Sequence, residues 1–404
     1  MVANRSSLVE TRDRNTPYGS RFSSHGYYSH WRYNPQTPPP GPQCPSEVPA
    51  FDRIGEIRSP RYNDPRDSGG ALLALRISVI ATVKNEGSSI NRLLQSLRSQ
   101  TRPPDEVIIV DGGSTDGTAD QLLEWEKSHR LPLRVLIEPG SNISRGRNVA
   151  IRAARGPVIA STDAGVRLEA SWLDHLSRPF DDKAVEPAPV VACGFFVPVA
   201  DTAFEVAMGA TILPALSDIK AESFLPSSRS VAYPKSAWEA AGGYPEWLDY
   251  CEDVILDLRL RSMGYQFVFV PDAVAHFRPR GSLRSFFAQY YRYARGDGKA
   301  DLWPERHTAR YLTYLGAVPV LTWLSICECI LWGLPLLVGA AIMLWTPYKR
   351  LLPTIQPLRA LDRLKAILWV PIIRLTGDVA KMLGYPVGRW WRLRHSREIP
   401  RWRD

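Results

Sequence analysis

Three aspartates, each set at the edge of an apolar run, carry the chemistry this chain is equipped to do. Asp111 follows Val107-Ile108-Ile109-Val110 and opens the octet Asp111-Gly112-Gly113-Ser114-Thr115-Asp116-Gly117-Thr118. A carboxylate at the C-terminal edge of a buried strand stands where open α/β sheets bind their ligands, poised to accept hydrogen bonds from the base or ribose of a nucleotide. An ordinary Asx-Gly turn explains one Asp and one Gly, but not the whole octet. Asp163 heads Asp163-Ala164-Gly165 just after a second apolar run, and Asp253 ends Cys251-Glu252-Asp253 at the start of a helical pattern. There the helix dipole favours the negative charge that a proton acceptor needs. Two further signals accompany them: Thr82-Val83-Lys84-Asn85-Glu86 and Arg145-Gly146-Arg147-Asn148.

The elements that must position these residues alternate. Ile77 to Val83 reads as a strand, and Ser88 to Ser99 as a helix with Ile90, Leu93, Leu94 and Leu97 at helical spacing. Val107 to Val110 has no polar alternation, the mark of a parallel strand buried on both faces. A helix over Gly117 to Lys127, a strand over Leu133 to Ile137, a helix over Ser144 to Ala154 and a strand over Val158 to Ser161 follow. Strict alternation predicts βαβ units, hence an α/β, mostly parallel sheet flanked by helices. Residues 190 to 275 are less regular, with strands at Val190 to Cys193 and Phe267 to Val270 and a helix at Glu252 to Ser262. An aromatic, basic helix is expected over Leu283 to Ala294.

The flanks differ in character. Residues 1 to 70 are rich in Pro, Ser and Arg, include Pro38-Pro39-Pro40-Gly41-Pro42, and read as a disordered tail without the apolar core of a secretory signal. The catalytic domain is expected over residues 72–305. Leu312 to Trp345 is dominated by Leu, Ile, Val, Ala and Trp, longer than the roughly 20 residues that cross a bilayer and short of two comfortable crossings. Residues 310–346 are therefore read as one kinked span or a tight hairpin, with a buried core helix as the alternative. Residues 347–404 read as a basic amphipathic region, with Ala366 to Val387 carrying Arg374, Asp378 and Lys381 as an interfacial helix does. The net charge of +9 gathers in the tail and this C-terminal region, which suits an anionic membrane surface and leaves no groove-sized patch for nucleic acid. Five cysteines lack metal-ligand spacing and fit a reducing compartment.

Taken in order and spacing, the five signals resemble the family 2 glycosyltransferases, inverting enzymes of the GT-A fold that use nucleotide sugars. The resemblance spans residues 77 to 300, with the Asp111 octet its most specific piece. It implies that Thr82 and Glu86 line the nucleotide pocket, that Asp111 pairs with the base, usually uracil, and that Arg147 lies beside the diphosphate. Asp163 matches the first acid of the D-x-D metal motif, whereas Gly165 stands where the second acid is usual. Other ligands for a magnesium or manganese ion would come from the diphosphate, from water, or from His276, whose alternative is a structural role. Asp253 matches the catalytic base, and Gly242-Gly243-Tyr244-Pro245-Glu246 precedes it as the acceptor-side loop does. Gln289-Tyr290-Tyr291-Arg292-Tyr293 resembles the Gln-x-x-Arg-Trp signature of polymer-making relatives, with Tyr293 for the Trp. Arg292 would reach the diphosphate, or the helix would serve as an interfacial anchor.

The implied function is sugar transfer from a nucleotide-diphosphate donor, a UDP-sugar first, to a lipid-linked or polysaccharide acceptor. The catalytic domain would stand at the cytoplasmic face of a membrane. A departing diphosphate needs a divalent cation or basic groups, and the acceptor hydroxyl needs a carboxylate. Two alternatives stay open: a sugar nucleotidyltransferase, and an inactive nucleotide-binding membrane scaffold.

Overall fold

The computed structural model describes residues 75–180 and 189–399, so the expected tail over 1–70 lies outside the described residues. Eight strands form one sheet: β1 (Ile77–Val83), β2 (Glu106–Asp111), β3 (Leu133–Ile137), β4 (Val158–Ser161), β5 (Val166–Leu168), β6 (Val190–Pro198), β7 (Val231–Pro234) and β8 (Gln266–Phe277), in the order β3-β2-β1-β4-β7-β6-β8-β5. The first four strands pair in parallel. β7 is antiparallel to β4 and β6, and β5 to β8.

Why the apolar runs lack alternation is visible in the packing. Ile77, Val79, Ala81 and Val83 of β1, with Val107 and Ile109 of β2, enter one core layer. Ile80, Ile108 and Val110 enter another on the opposite face. Successive side chains point to opposite faces, so burial on both sides calls for apolar residues at most positions, and the buried Ser78 of β1 is satisfied by Glu106 at 2.8 Å. The helices α1 (Ile90–Arg98), α2 (Thr118–Lys127), α3 (Ile143–Ala153), α4 (Trp172–Ser177), α5 (Ala203–Ile212), α6 (Lys235–Ala240) and α7 (Glu252–Ser262) cover these faces and the sheet's ends. α3 is started by Asn142, whose side chain accepts from the Arg145 N–H at 2.9 Å.

Two strands that sequence patterning did not indicate, β5 and β7, complete the sheet. The expected strands at 190 and 267 are longer than anticipated, and their pairing shifts register between Gly194 and Phe195. A Cβ at Gly194 would meet the Ser230 hydroxyl, which itself donates to the Ala273 carbonyl at 2.8 Å and accepts from Trp172 Nε1 at 2.8 Å. Only glycine admits this bolt, and the bolt fixes the backbone beside Arg229.

Beyond the sheet lie α8 (Leu283–Ala300), α9 (Pro304–Tyr311), α10 (Val318–Cys327), α11 (Leu334–Thr354) and α12 (Ala360–Arg394). The apolar stretch that began as one kinked span or a hairpin folds as a helical hairpin. It breaks at Glu328 and Cys329, and Tyr314 on the first arm reaches Met343 on the second at 3.5 Å. Among the described residues, Ile330–Thr354 alone is long and apolar enough to cross a membrane, and it runs past the boundary expected at 346. The expected interfacial helix is part of the 35-residue α12, which buries Val370 and Ile373 against Phe204, Met208 and Phe286 of α5 and α8. The packing thus joins α12 to the domain that was expected to end at 305.

α8 and α12 cross at backbone contact. A Cβ at Gly388 would sit 2.1 Å from the Arg295 carbonyl oxygen, and one at Gly384 2.2 Å from that of Tyr291. Helix propensity favours Gly388→Ala by about 1 kcal/mol. Overpacking against a carbonyl opposes it by about 1–3 kcal/mol. We expect the clash to win, so Gly388→Ala should lower the melting temperature of the purified protein.

Candidate active site

The ends of β1 and β2 are laced into one cradle. After β1 the chain turns through Asn85 at φ +57°, and three amides of this turn donate into the octet: Asn85 to Ser114 Oγ at 2.8 Å, Glu86 to Thr118 Oγ1 at 2.9 Å and Gly87 to Asp116 Oδ2 at 3.0 Å. In return the Thr115 amide donates to Asn85 Oδ1 at 2.9 Å. The bonds from Thr118 and Gly87 hold the Asp116 carboxyl below its usual range. Asp116 therefore works as a clasp.

Asp111 is fully buried at the end of β2, at the strand edge expected for it. Its Oδ1 accepts from the Gly113 and Ser114 amides at 2.8 and 2.7 Å, while Oδ2 is buried without a hydrogen-bond partner. A buried carboxylate oxygen left unpaired is costly, which marks it as a place for a missing donor. Thr82 is half-buried on β1, in register with Val110, and a Cβ at Gly146 would lie 2.8 Å from its methyl group. Gly146 is thus what lets α3 lie this close to the cradle.

At the next strand end the acids and bases converge. Arg147 is 2% exposed; its Nη2 donates to Asp163 Oδ1 at 2.9 Å and its Nη1 to Glu252 Oε1 at 2.6 Å. The guanidinium also lies 5.3 Å from the centre of the Tyr244 ring. Burial opposes its charge, but Glu252, Tyr244 and Asp163 outweigh that and hold it above the usual arginine range. Glu252 is pushed up, to about 7, by burial first and then by the charge of Asp253, against the pull of Arg147. The other Asp163 oxygen faces Arg229 Nε at 3.3 Å. Arg229 in turn feels the charges of Asp163 and Asp253, and Tyr293 lies near it. Asp163, 27% exposed on its side chain, and Asp253 therefore belong to one cluster, outside the carboxyl ends of the parallel strands.

Several expected residues stand differently. Arg147 was expected beside a diphosphate and is instead a buried strut, with both terminal nitrogens taken by carboxylates. Arg292 is exposed and donates to the Tyr250 hydroxyl at 3.2 Å, whereas its neighbour Tyr293 faces the cluster. The expected metal pair is not assembled: His276 Nε2 contacts Glu169, both Asp163 oxygens are held by arginines, and no group of three His, Cys, Asp or Glu fit to hold a metal occurs among the described residues. Gly165 has a physical reason. A Cβ there would lie 3.8 Å from Glu86 Oε2, so a second acid would face a carboxylate that already accepts from the Ser89 hydroxyl. As they stand, these residues do not form a cage for a divalent cation.

Sequence reasoning missed Arg229. It lies in Pro226-Ser227-Ser228-Arg229-Ser230, which carries no motif, and only the antiparallel pairing of β7 with β4 brings it to Asp163. The helix that carries Asp253 is also fixed in a way no motif announces. Cys251 enters α7 at φ +67°, and Gly296 of α8 packs so closely that a Cβ there would lie 2.7 Å from the Tyr250 carbonyl oxygen. Gly296→Val should dislodge this turn and reduce any catalytic rate well before the sheet unfolds, a difference that activity and circular dichroism measured together would reveal.

The sequence model for "Glycosyl transferase family 2" matches residues 78–200, which include Asp111, Arg147 and Asp163 and end before Asp253. Over 238 residues the chain is 29% identical to the succinoglycan biosynthesis protein ExoA of Rhizobium meliloti, spanning 55% of this chain and 68% of that protein. It is 25% identical over 230 residues to the O-antigen chain rhamnosyltransferase WbaN of Salmonella anatum, spanning 53% and 70%. Among solved structures, the mannosyltransferase PcManGT from Pyrobaculum calidifontis, in complex with GDP-Man and Mn2+, superposes with a TM-score of 0.51. The match has 21% identity and covers 79% of this chain and 90% of that one, a likeness of fold.

Proposed function

Because this chain is a family 2 glycosyltransferase with the GT-A fold, we propose that it moves a sugar from a nucleotide-diphosphate donor to a lipid-linked or polysaccharide acceptor, inverting the anomeric centre. One observation carries the reading: Arg147 ties Asp163 to Glu252, the residue before Asp253, so a strand-end acid and a helix-start acid share one site. In this mechanism the acceptor hydroxyl gives its proton to the Asp253 carboxylate as its oxygen attacks the anomeric carbon. The bond from that carbon to the diphosphate oxygen breaks on the opposite side, and the nucleoside diphosphate leaves. Asp111 Oδ2 supplies the acceptor for an N–H of the base, UDP-sugars being the first donors to try. Thr82 and Glu86 stand beside it.

The Mn2+ of the mannosyltransferase complex belongs to that protein. A magnesium or manganese ion at Asp163 would first require Arg229 to let go. A polysaccharide product follows the names of the two curated relatives. A membrane setting, with the catalytic domain at its cytoplasmic face, is favoured by the apolar hairpin, where Ile326 and Ile330 are 79% and 81% exposed. It is favoured too by a stripe along α12 from Leu361 through Leu364, Leu368, Ile372 and Leu375 to Val379, all exposed.

The test is direct. The full-length protein in detergent, given UDP-, GDP- and dTDP-sugars with Mg2+ or Mn2+, should release nucleoside diphosphate. Pyrophosphate released from a nucleoside triphosphate would identify a nucleotidyltransferase instead. Binding of a donor with no turnover on any acceptor would identify a scaffold.

A further inference from the structure

We propose that Arg229 is the residue that receives the diphosphate of the donor, exchanging its contact with Asp163 for the phosphate oxygens; the assignment rests on the transferase reading above. Two arginines hold Asp163, and they are not equivalent. Arg147 is 2% exposed and makes short bonds, at 2.6 and 2.9 Å, to two carboxylates, so it has no reach. Arg229 is 24% exposed, meets Asp163 at 3.3 Å and Ser227 Oγ at 3.3 Å, and spends only its longer, weaker hydrogen bonds on the protein. Charge-assisted bonds to phosphate run shorter, and a guanidinium fork matches two phosphate oxygens at once.

Its surroundings suit that exchange. The guanidinium lies over the Phe277 ring at 4.7 Å and near that of Phe196 at 5.8 Å, so two aromatic faces hold its plane while leaving its edge free to bond. Its backbone is fixed: the Arg229 carbonyl accepts from Thr162 Oγ1 at 3.0 Å, and the next residue is the Ser230 bolt. The side chain meets Asp163 at 3.3 Å and lies within the field of Asp253, with Tyr293 nearby, so a diphosphate leaving there would face both the strand-end acid and the base. Neither expected arginine fills this role. Arg147 is sealed in, and Arg292 points at Tyr250.

The experiment is calorimetric titration of the full-length protein with UDP, GDP and dTDP, and then with the nucleoside of whichever diphosphate binds. Arg229→Gln should weaken nucleoside diphosphate binding by about 10–100-fold, the scale of one charge-assisted contact, and leave nucleoside binding unchanged. Arg229→Lys, which keeps the charge and loses the fork, should fall between the two and covers the case in which the glutamine variant fails to fold. Diphosphate affinity unchanged in both variants, or equal loss for diphosphate and nucleoside, would overturn the assignment while leaving the transferase reading standing. Wild-type protein that binds none of the three diphosphates would overturn that reading, and this assignment with it.

Discussion

Asp253→Asn should lower turnover by about 10²–10⁴-fold, the range of a positioned general base, with donor affinity unchanged. The side chains differ by one atom, and Asp253 Oδ1 holds no other residue: it accepts only from the Val254 amide next to it, at 2.9 Å. Folding should therefore survive the change. The split between rate and affinity separates Asp253 from its neighbour. Glu252 is buried against Arg147, and Glu252→Gln should impair activity through misplacement of Arg147 and Asp163, with donor affinity falling as well. Asp253→Asn that turns over at the wild-type rate would remove Asp253 from the chemistry.

The second large effect is on stability. Arg147→Ala should destabilise the fold by about 3–5 kcal/mol, because it strips a buried carboxylate of its partner. Its pH dependence has a definite sign. Glu252 titrates near 7 in the folded protein and near 4.5 when free, so between those values the folded state binds the extra proton and stability falls as pH rises. Without Arg147 the folded carboxyl moves higher still, and the window in which stability is lost widens upward. The variant's deficit, read from chemical denaturation, should thus be smaller at pH 5 than at pH 8. Arg147→Met combined with Glu252→Met should recover much of the stability, since a buried ion pair and an apolar pair of similar volume are often equivalent, yet remain inactive because Asp163 loses its Arg147 anchor and keeps only Arg229.

How far the sequence revealed this depended on range. β1, β2 and β4 were legible because they are buried on both faces, and β3, a partly exposed edge strand, because the helices on either side of it keep their own period. β7 was not: Val231–Pro234 is four residues long, set in a Ser-rich turn and ended by a proline, and its place between β4 and β6 is a tertiary fact. Asp163 and Asp253 could be read because a strand end and a helix start are local features. The partner of Arg147 could not, since Glu252 lies 105 residues away and only the closed fold brings them within 2.6 Å. Arg292 is exposed and bonded to Tyr250, whereas one step along the helix, about 100° round, Tyr293 lies near Arg229, a phase that the pairwise spacing of a motif does not convey.

The proposed transfer is a single displacement at the Asp163–Asp253 site, and stereochemistry tests that most directly. Proton NMR of the first-formed sugar, whether transferred to an acceptor or released to water, should show the anomeric configuration opposite to that of the donor. A product that retains the donor's configuration would contradict direct attack assisted by Asp253 and would require a covalent or front-face route for which this site has been given no residue.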